Sequence, residues 1–234
     1  VASGIIPEGA IQIDCGKGHG IIDSLGSQDL VTFTGSAKTG RMLKSMPHII
    51  ENAIPFNMEA DSLNAAILGE DASPGTADFN IFIKEVRREM TTKAGQKCTA
   101  VRRIMVPEKY LEDVQIALSK SLSQTTVGDP AAEGVRMGAI VNRAQLDVVR
   151  NRVAAMAEKT PIVYGDLDNF DLIGADKNKG AFLAPILMLN SNPMNNTDSH
   201  EVECFGPVST LMPYTDIDQA VELAKMGKGS LVST

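Results

Sequence analysis

The sequence is short of cysteine and histidine, with three of each in 234 residues. Cys15, Cys98 and Cys204 are odd in number and far apart, so a disulfide framework is not expected. No C-x-x-C occurs, and His19, His48 and His200 fall at no zinc spacing, so each reads as a loop or surface residue. Positive charge is scarce as well: 22 Lys and Arg stand against 29 Asp and Glu, a net charge of −7. That balance excludes nucleic acid or a membrane surface as an electrostatically driven partner, while leaving room for a local basic patch on a small anion. No apolar run approaches the roughly 20 residues that cross a bilayer, no leader pattern is visible, and the cytoplasm is the default location. Internal repeats, low-complexity tracts, G-x-G-x-x-G and Walker A loops are all missing.

What is present is 43% apolar residues, enough for the core of one large domain or two smaller ones. The chain opens on Val1 rather than Met. It closes on Ser230-Leu231-Val232-Ser233-Thr234, which reads as a strand beginning, so an internal segment of a longer protein is expected. Leu30 to Thr34 is β-branched and aromatic and stops at Gly35; Ala53 to Met58 and Asn64 to Leu68 are further short apolar runs. Phe79, Phe82, Ile83, Val86 and Met90 trace a helical stripe that Asp78 can cap and Gly95 ends. Val101 to Val106 is strand-like, Leu111 to Leu122 helical behind Pro107, and Val127-Gly128-Asp129-Pro130 a turn. Leu146, Val149, Val153 and Met156 mark another helix. Strands are expected at Pro161 to Tyr164, Phe182 to Leu189 and Val208 to Met212, a long polar loop at Gly165 to Gly180, and a last helix from Thr215 or Asp216 through Ala224. Such alternation predicts α/β architecture.

Four segments carry candidate chemistry. In Phe33-Thr34-Gly35-Ser36-Ala37-Lys38-Thr39-Gly40 a strand ends at glycine before a helix, where free backbone N–H groups suit a phosphate. Read alone, it is more often an ordinary strand-to-helix turn. Glu59, in Phe56-Asn57-Met58-Glu59, is a strand-end carboxylate, the type of group that serves as a general base but equally as a solvated acid. Cys98 lies in Gly95-Gln96-Lys97-Cys98-Thr99, unusually small and polar company for a core thiol, so a nucleophile and a buried small hydrophobe stand level. In Glu203-Cys204-Phe205-Gly206-Pro207-Val208 an acid stands beside a Gly-Pro turn, able to accept from ribose hydroxyls or simply to lead a loop into a strand; Cys204 reads as packed or inert. The loop Gly16-Lys17-Gly18-His19-Gly20 resembles a nucleotide loop weakly and is read as a flexible turn.

Together and in this order, the four segments resemble the middle portion of the aldehyde dehydrogenase superfamily. The resemblance covers essentially the whole chain, with Val127 to Pro130 and Gly180-Ala181-Phe182-Leu183-Ala184-Pro185 fitting supporting patterns. It implies Cys98 as catalytic nucleophile, Glu59 as general base, and Gly35 and Ser36 facing the dinucleotide's phosphates. It further implies Glu203 on the nicotinamide ribose and Phe205 beside the nicotinamide ring. Cys98 would add to the aldehyde, a thioester would follow hydride transfer, and Glu59 would activate the hydrolysing water. The implied division is a C-terminal half of an NAD(P)-binding domain at 1–94 and a catalytic domain at 95–234, truncated at its C-terminal end. The family's asparagine oxyanion donor would lie upstream, so the segment alone is expected to be inactive.

After the glutamate most of the family carries Leu-Gly-Gly, whereas this chain has Ala60-Asp61-Ser62-Leu63-Asn64. With Met90 to Ala100, that departure is similar to the semialdehyde dehydrogenases of aerobic phenylacetate and benzoate breakdown, which act on ring-opened CoA thioesters; the phenylacetate branch is the nearer likeness and the benzoyl-CoA branch the alternative. This narrower likeness implies NADP, with NAD also possible, a homo-oligomeric parent enzyme and, in the phenylacetate branch, a following hydratase-like domain. A cysteine acyltransferase, with a histidine partner for Cys98, and a non-catalytic nucleotide-binding module are the rival readings.

Overall fold

The computed structural model describes residues 4–16 and 19–234. The flexible turn expected at Gly16 to Gly20 falls partly on Lys17 and Gly18, which lie outside the described residues, and Gly20 belongs to a short helix. The chain forms two compact units, Val1–Asp61 and Ser62–Thr234.

The first unit runs α1 (His19–Ile22), β1 (Val31–Gly35), α2 (Ala37–Lys44), α3 (Pro47–Glu51) and β2 (Phe56–Ala60). β1 and β2 pair in parallel, with Thr34 opposite Glu59 and Gly35 opposite Ala60. Parallel partners need a crossover, and α2 and α3 supply it. The buried core is small: Ile22, Leu43, Ile49 and Ile54, with Phe33 and Phe56 packed against it.

The second unit continues with β3 (Ala65–Ile67), α4 (Ala77–Thr91), β4 (Arg103–Pro107), α5 (Leu111–Leu122), α6 (Arg143–Met156), β5 (Ile162–Tyr164), β6 (Ile186–Leu189), α7 (Asp198–Glu201), β7 (Val208–Tyr214) and α8 (Ile217–Lys225). Its five-stranded sheet has the order β3-β4-β7-β6-β5. All pairs are parallel except β5 with β6. Every residue of β4 is buried, as a strand in a parallel sheet covered on both faces must be. The pleat deals alternate side chains to opposite layers: Ile104, Val106, Leu187 and Leu211 face a core with α4 and α5, while Met105 and Met212 join Ala220 and Leu223 of α8. A third cluster packs α6 against Ile186 and Met188.

Local chemistry sets the helix starts. Thr76 caps α4, its Oγ1 accepting from Phe79 N at 3.3 Å; Asp78 falls inside the first turn, where it favours the helix dipole instead. Asp216 caps α8 by accepting from Gln219 N at 2.9 Å, and the Gln219 side chain accepts from Thr215 N in return. A cap contributes about 1 kcal/mol and each fully buried apolar side chain roughly 1.5–3 kcal/mol. The Phe79, Ile83, Val86 and Met90 stripe therefore decides where α4 sits.

The compact units part at Asp61 and Ser62, while the division at residue 94 that the resemblance implies stays an expectation about the family's functional parts. β3 pairs with β4, and α4 buries its stripe in the core that holds Ile104 and Leu118. The segment 230–234 extends as expected. Ser233 bridges Ala65 in parallel, and Ile67 N donates to Thr234 O at 2.8 Å along the outer edge of β3. No helix among the described residues is long and apolar enough to cross a membrane.

Candidate active site

In the first unit Gly35 and Glu59 lie on adjacent parallel strands, and Ser36 follows Gly35 at the start of α2. Gly35 closes β1, and Ser36 caps α2, its Oγ accepting from Thr39 N at 3.2 Å. A Cβ at Gly35 would meet the Phe33 ring at 2.6 Å. The first amide of α2, Ala37 N, donates to Asp61 Oδ1 at 3.1 Å. A carboxylate thus sits on the helix start where the sequence suggested a phosphate, a place that favours anions. Glu59 is exposed at the C-terminal end of β2.

In the second unit Cys98 is exposed on a turn between α4 and β4. The approach to it is strained: Lys93 (φ 54°), Ala94 (φ 51°) and Gly95 (φ 69°) are all left-handed. Non-glycine residues held there cost of order 1–3 kcal/mol each and persist only where their surroundings impose them. Gly95 has no alternative, because a Cβ would strike the carbonyl oxygen of Gly206.

Two buried side chains hold the carbonyls of this turn. Asn64 Nδ2 donates to Cys98 O at 2.8 Å and Ala100 O at 2.9 Å. Its Oδ1 accepts from Ser62 Oγ at 2.6 Å and from the Leu231 and Val232 amides at 3.1 and 2.8 Å. Arg102 Nη2 donates to Gly95 O at 2.6 Å and Lys97 O at 3.2 Å, and Nη1 to Gly206 O at 2.9 Å. Lys97 is itself paired with Glu89 at 2.7 Å.

Glu203 and Phe205 lie in the loop that Arg102 also touches. The Glu203 side chain is buried, with Oε2 accepting from Ser62 N at 3.3 Å and Oε1 3.5 Å from Arg102 Nε. Phe205 is left-handed (φ 38°), and its ring centroid lies 5.6 Å from the Arg102 guanidinium carbon. Burial pushes the Cys204 thiol up to about 11, with Arg102 and Arg152 pulling part of the way back. A thiol so protonated is a packing residue, as the sequence suggested.

The structure thus gathers Cys98, Glu203 and Phe205 in the second unit, and Gly35, Ser36 and Glu59 in the first. Sequence reasoning missed Asn64 and Arg102. A signal for the latter existed: Arg102-Arg103 is a doubled cation inside an otherwise apolar strand, which alternation must split between two faces. His200 is a correction. Read as a loop or surface residue, it is only 1% exposed. Its Nδ1 lies 3.0 Å from Arg103 Nη1 and its Nε2 3.1 Å from Pro193 O. Among the described residues no group of three or more His, Cys, Asp or Glu could hold a metal.

The sequence profile of the aldehyde dehydrogenase family matches residues 2–234. The chain is 41% identical over 234 residues to the 3,4-dehydroadipyl-CoA semialdehyde dehydrogenase of Aromatoleum evansii, covering 100% of this chain and 45% of that protein. Among solved structures it is similar to betaine aldehyde dehydrogenase from Staphylococcus aureus in complex with NAD+, at TM-score 0.72 and 25% identity, covering 84% of this chain and 37% of that one. An aldehyde dehydrogenase from Bacillus cereus aligns at TM-score 0.70 and 25% identity, over 86% of this chain and 38% of its own.

Proposed function

The chain belongs to the aldehyde dehydrogenase family, and from that premise we propose that it is the middle portion of an enzyme that oxidises an aldehyde to a carboxylic acid with a nicotinamide dinucleotide. Because it spans 45% of its 41%-identical relative, the activity is proposed for the full-length enzyme. The observation that carries the reading is the Cys98 turn: an exposed thiol on a strained backbone whose carbonyls are held by Asn64 and Arg102. Such rigidity is what a nucleophile needs and a packed thiol does not.

The residues fit a dinucleotide. The start of α2 already binds an anionic oxygen at Ala37 N, so Gly35 and Ser36 would face its phosphates. Glu203 and Phe205 would take the nicotinamide ribose and ring. When bound, the dinucleotide supplies the hydride acceptor. Cys98 as thiolate adds to the aldehyde carbon and gives a thiohemiacetal. Loss of hydride from that carbon leaves a thioester on Cys98. Glu59 takes a proton from water, the resulting hydroxide adds to the thioester, and the acid departs as the Cys98 sulfur is released. The Cys98 amide would supply part of the oxyanion stabilisation.

The substrate class proposed is a semialdehyde carried on a CoA thioester, supported by the A. evansii relative and by Ala60-Asp61-Ser62-Leu63-Asn64. NADP is the proposed acceptor, with NAD as the alternative arm of the assay. The acyltransferase reading loses ground to one observation. The second unit's single histidine, His200, is turned to Arg103 and Pro193 and offers Cys98 no imidazole.

In the full-length enzyme, Cys98→Ala is expected to lower turnover by at least about a thousandfold while cofactor binding stays measurable. Retained turnover removes the assignment. Glu59→Gln is expected to give a burst of one reduced cofactor per site and then stall, whereas undiminished steady turnover counts against Glu59 as base.

A further inference from the structure

The side chain of Arg102 is buried, at 4% exposure, yet it makes contacts on two separate loops. Nη2 reaches Gly95 O and Lys97 O at 2.6 and 3.2 Å, immediately before Cys98. Nη1 reaches Gly206 O at 2.9 Å, Nε lies 3.5 Å from Glu203 Oε1, and the Phe205 ring centroid is 5.6 Å from Cζ. Burial disfavours the guanidinium charge and holds its pKa below the usual arginine range, with Glu203 offsetting part of that cost. A buried ion pair of this kind is weak support for stability, since apolar residues of similar volume often serve as well or better. What the planar fork provides is geometry: donors in fixed directions that a lysine's single ammonium cannot match. The two loops also touch backbone to backbone, with no room for a Cβ at Gly95 against Gly206 O, so a shift of one cannot be absorbed by the other.

We propose that Arg102 is a positioning residue that locks the Cys98 turn to the Glu203–Phe205–Gly206 loop and so sets the register between nucleophile and nicotinamide ribose. The proposal rests on the dehydrogenase reading above. Arg102 acts through Glu203 on the cofactor side and through the Gly95 and Lys97 carbonyls on the nucleophile side.

The test is steady-state kinetics of the full-length enzyme with Arg102→Gln, Arg102→Lys, Glu203→Gln and the Arg102→Gln/Glu203→Gln double variant. Arg102→Gln is expected to raise the cofactor KM at least about tenfold and lower kcat at least about tenfold, with the aldehyde KM within about twofold of the parent. Arg102→Lys should recover part of the cofactor KM. In the Glu203→Gln background the second substitution should raise the cofactor KM less than about twofold further, because the two residues act as one unit. A merely structural arginine predicts something else: less folded enzyme, hence lower kcat with both KM values unchanged. That result, or additive effects in the double variant, overturns the proposal. Should Arg102→Gln alone fail to fold, Arg102→Lys and the double variant, which buries no unpaired charge, decide it.

A readout independent of turnover keeps the two readings apart. In the 234-residue chain, peptide-mapped alkylation of Cys98 is expected to change at least about threefold in Arg102→Gln. An unchanged rate overturns the clamp. Retained turnover in Cys98→Ala overturns the dehydrogenase reading instead.

Discussion

At the scale of single residues, the three cysteines show how little a residue type says without its surroundings. Cys15 and Cys98 are exposed, and Cys204 is buried with its thiol pushed up to about 11 by desolvation. At about pH 8 only about one Cys204 in a thousand is then a thiolate, and it is shielded as well. Iodoacetamide is therefore expected to modify Cys15 and Cys98 at least about a hundredfold faster than Cys204, read by peptide mass mapping of the native protein. Comparable labelling at Cys204 contradicts its burial. The doubled arginine makes the same point. Arg102 and Arg103 are neighbours in sequence, yet Arg102, just before β4, reaches the Cys98 turn, and Arg103, the first residue of β4, reaches the end of α8. There Arg103 donates to Leu223 O at 2.6 Å and Ala224 O at 3.0 Å.

At the scale of elements, Arg103 and His200 tie α7, β4 and α8 together. Burial brings the Arg103 guanidinium down to about 10, still fully charged at neutral pH. As a cation on the last carbonyls of α8 it also complements the helix dipole. It donates to His200 Nδ1, so the imidazole is held as the neutral Nε2–H tautomer, with Pro193 O as acceptor. Desolvation first, and the Arg103 charge second, lower the His200 pKa from 6.5, against opposing pulls from the Pro193 carbonyl and Glu201. The unfolded chain therefore binds this proton more readily than the folded one. The contribution is fully present above about pH 6.5 and lost as pH falls through the folded value, by up to about 1.4 kcal/mol per unit. His200→Gln is expected to narrow the loss of Tm between about pH 7.5 and 5.5 relative to the parent. An unchanged difference assigns the acid sensitivity to other groups.

At the scale of the molecule, the apolar clusters divide with the chain. One small cluster of four buried residues belongs to the first unit, and three larger ones belong to the second. A two-stranded sheet with so small a core is marginal by itself. Urea unfolding is expected to be non-coincident, with amides of β1 and β2 losing protection from exchange at lower denaturant than those of β4 and β7. Loss of protection in a single step at both sheets refutes the division.

The sequence by itself determined the α/β class, most helices and strands, and the family, because hydrophobic periodicity, turn residues and the four motifs are local patterns. Cys98, Glu59, Gly35, Ser36, Glu203 and Phe205 could be singled out as candidates for the same reason: each sits at a strand end or turn marked by its neighbours. The tertiary structure decided the strand order, the antiparallel β5, the unit boundary at Asp61, and the buried places of His200, Asn64 and Arg102. Those depend on which backbone and side-chain groups, up to 168 residues away in the chain, come within hydrogen-bonding distance. No local pattern encodes that separation; only the burial of the strands against their helices brings the partners together.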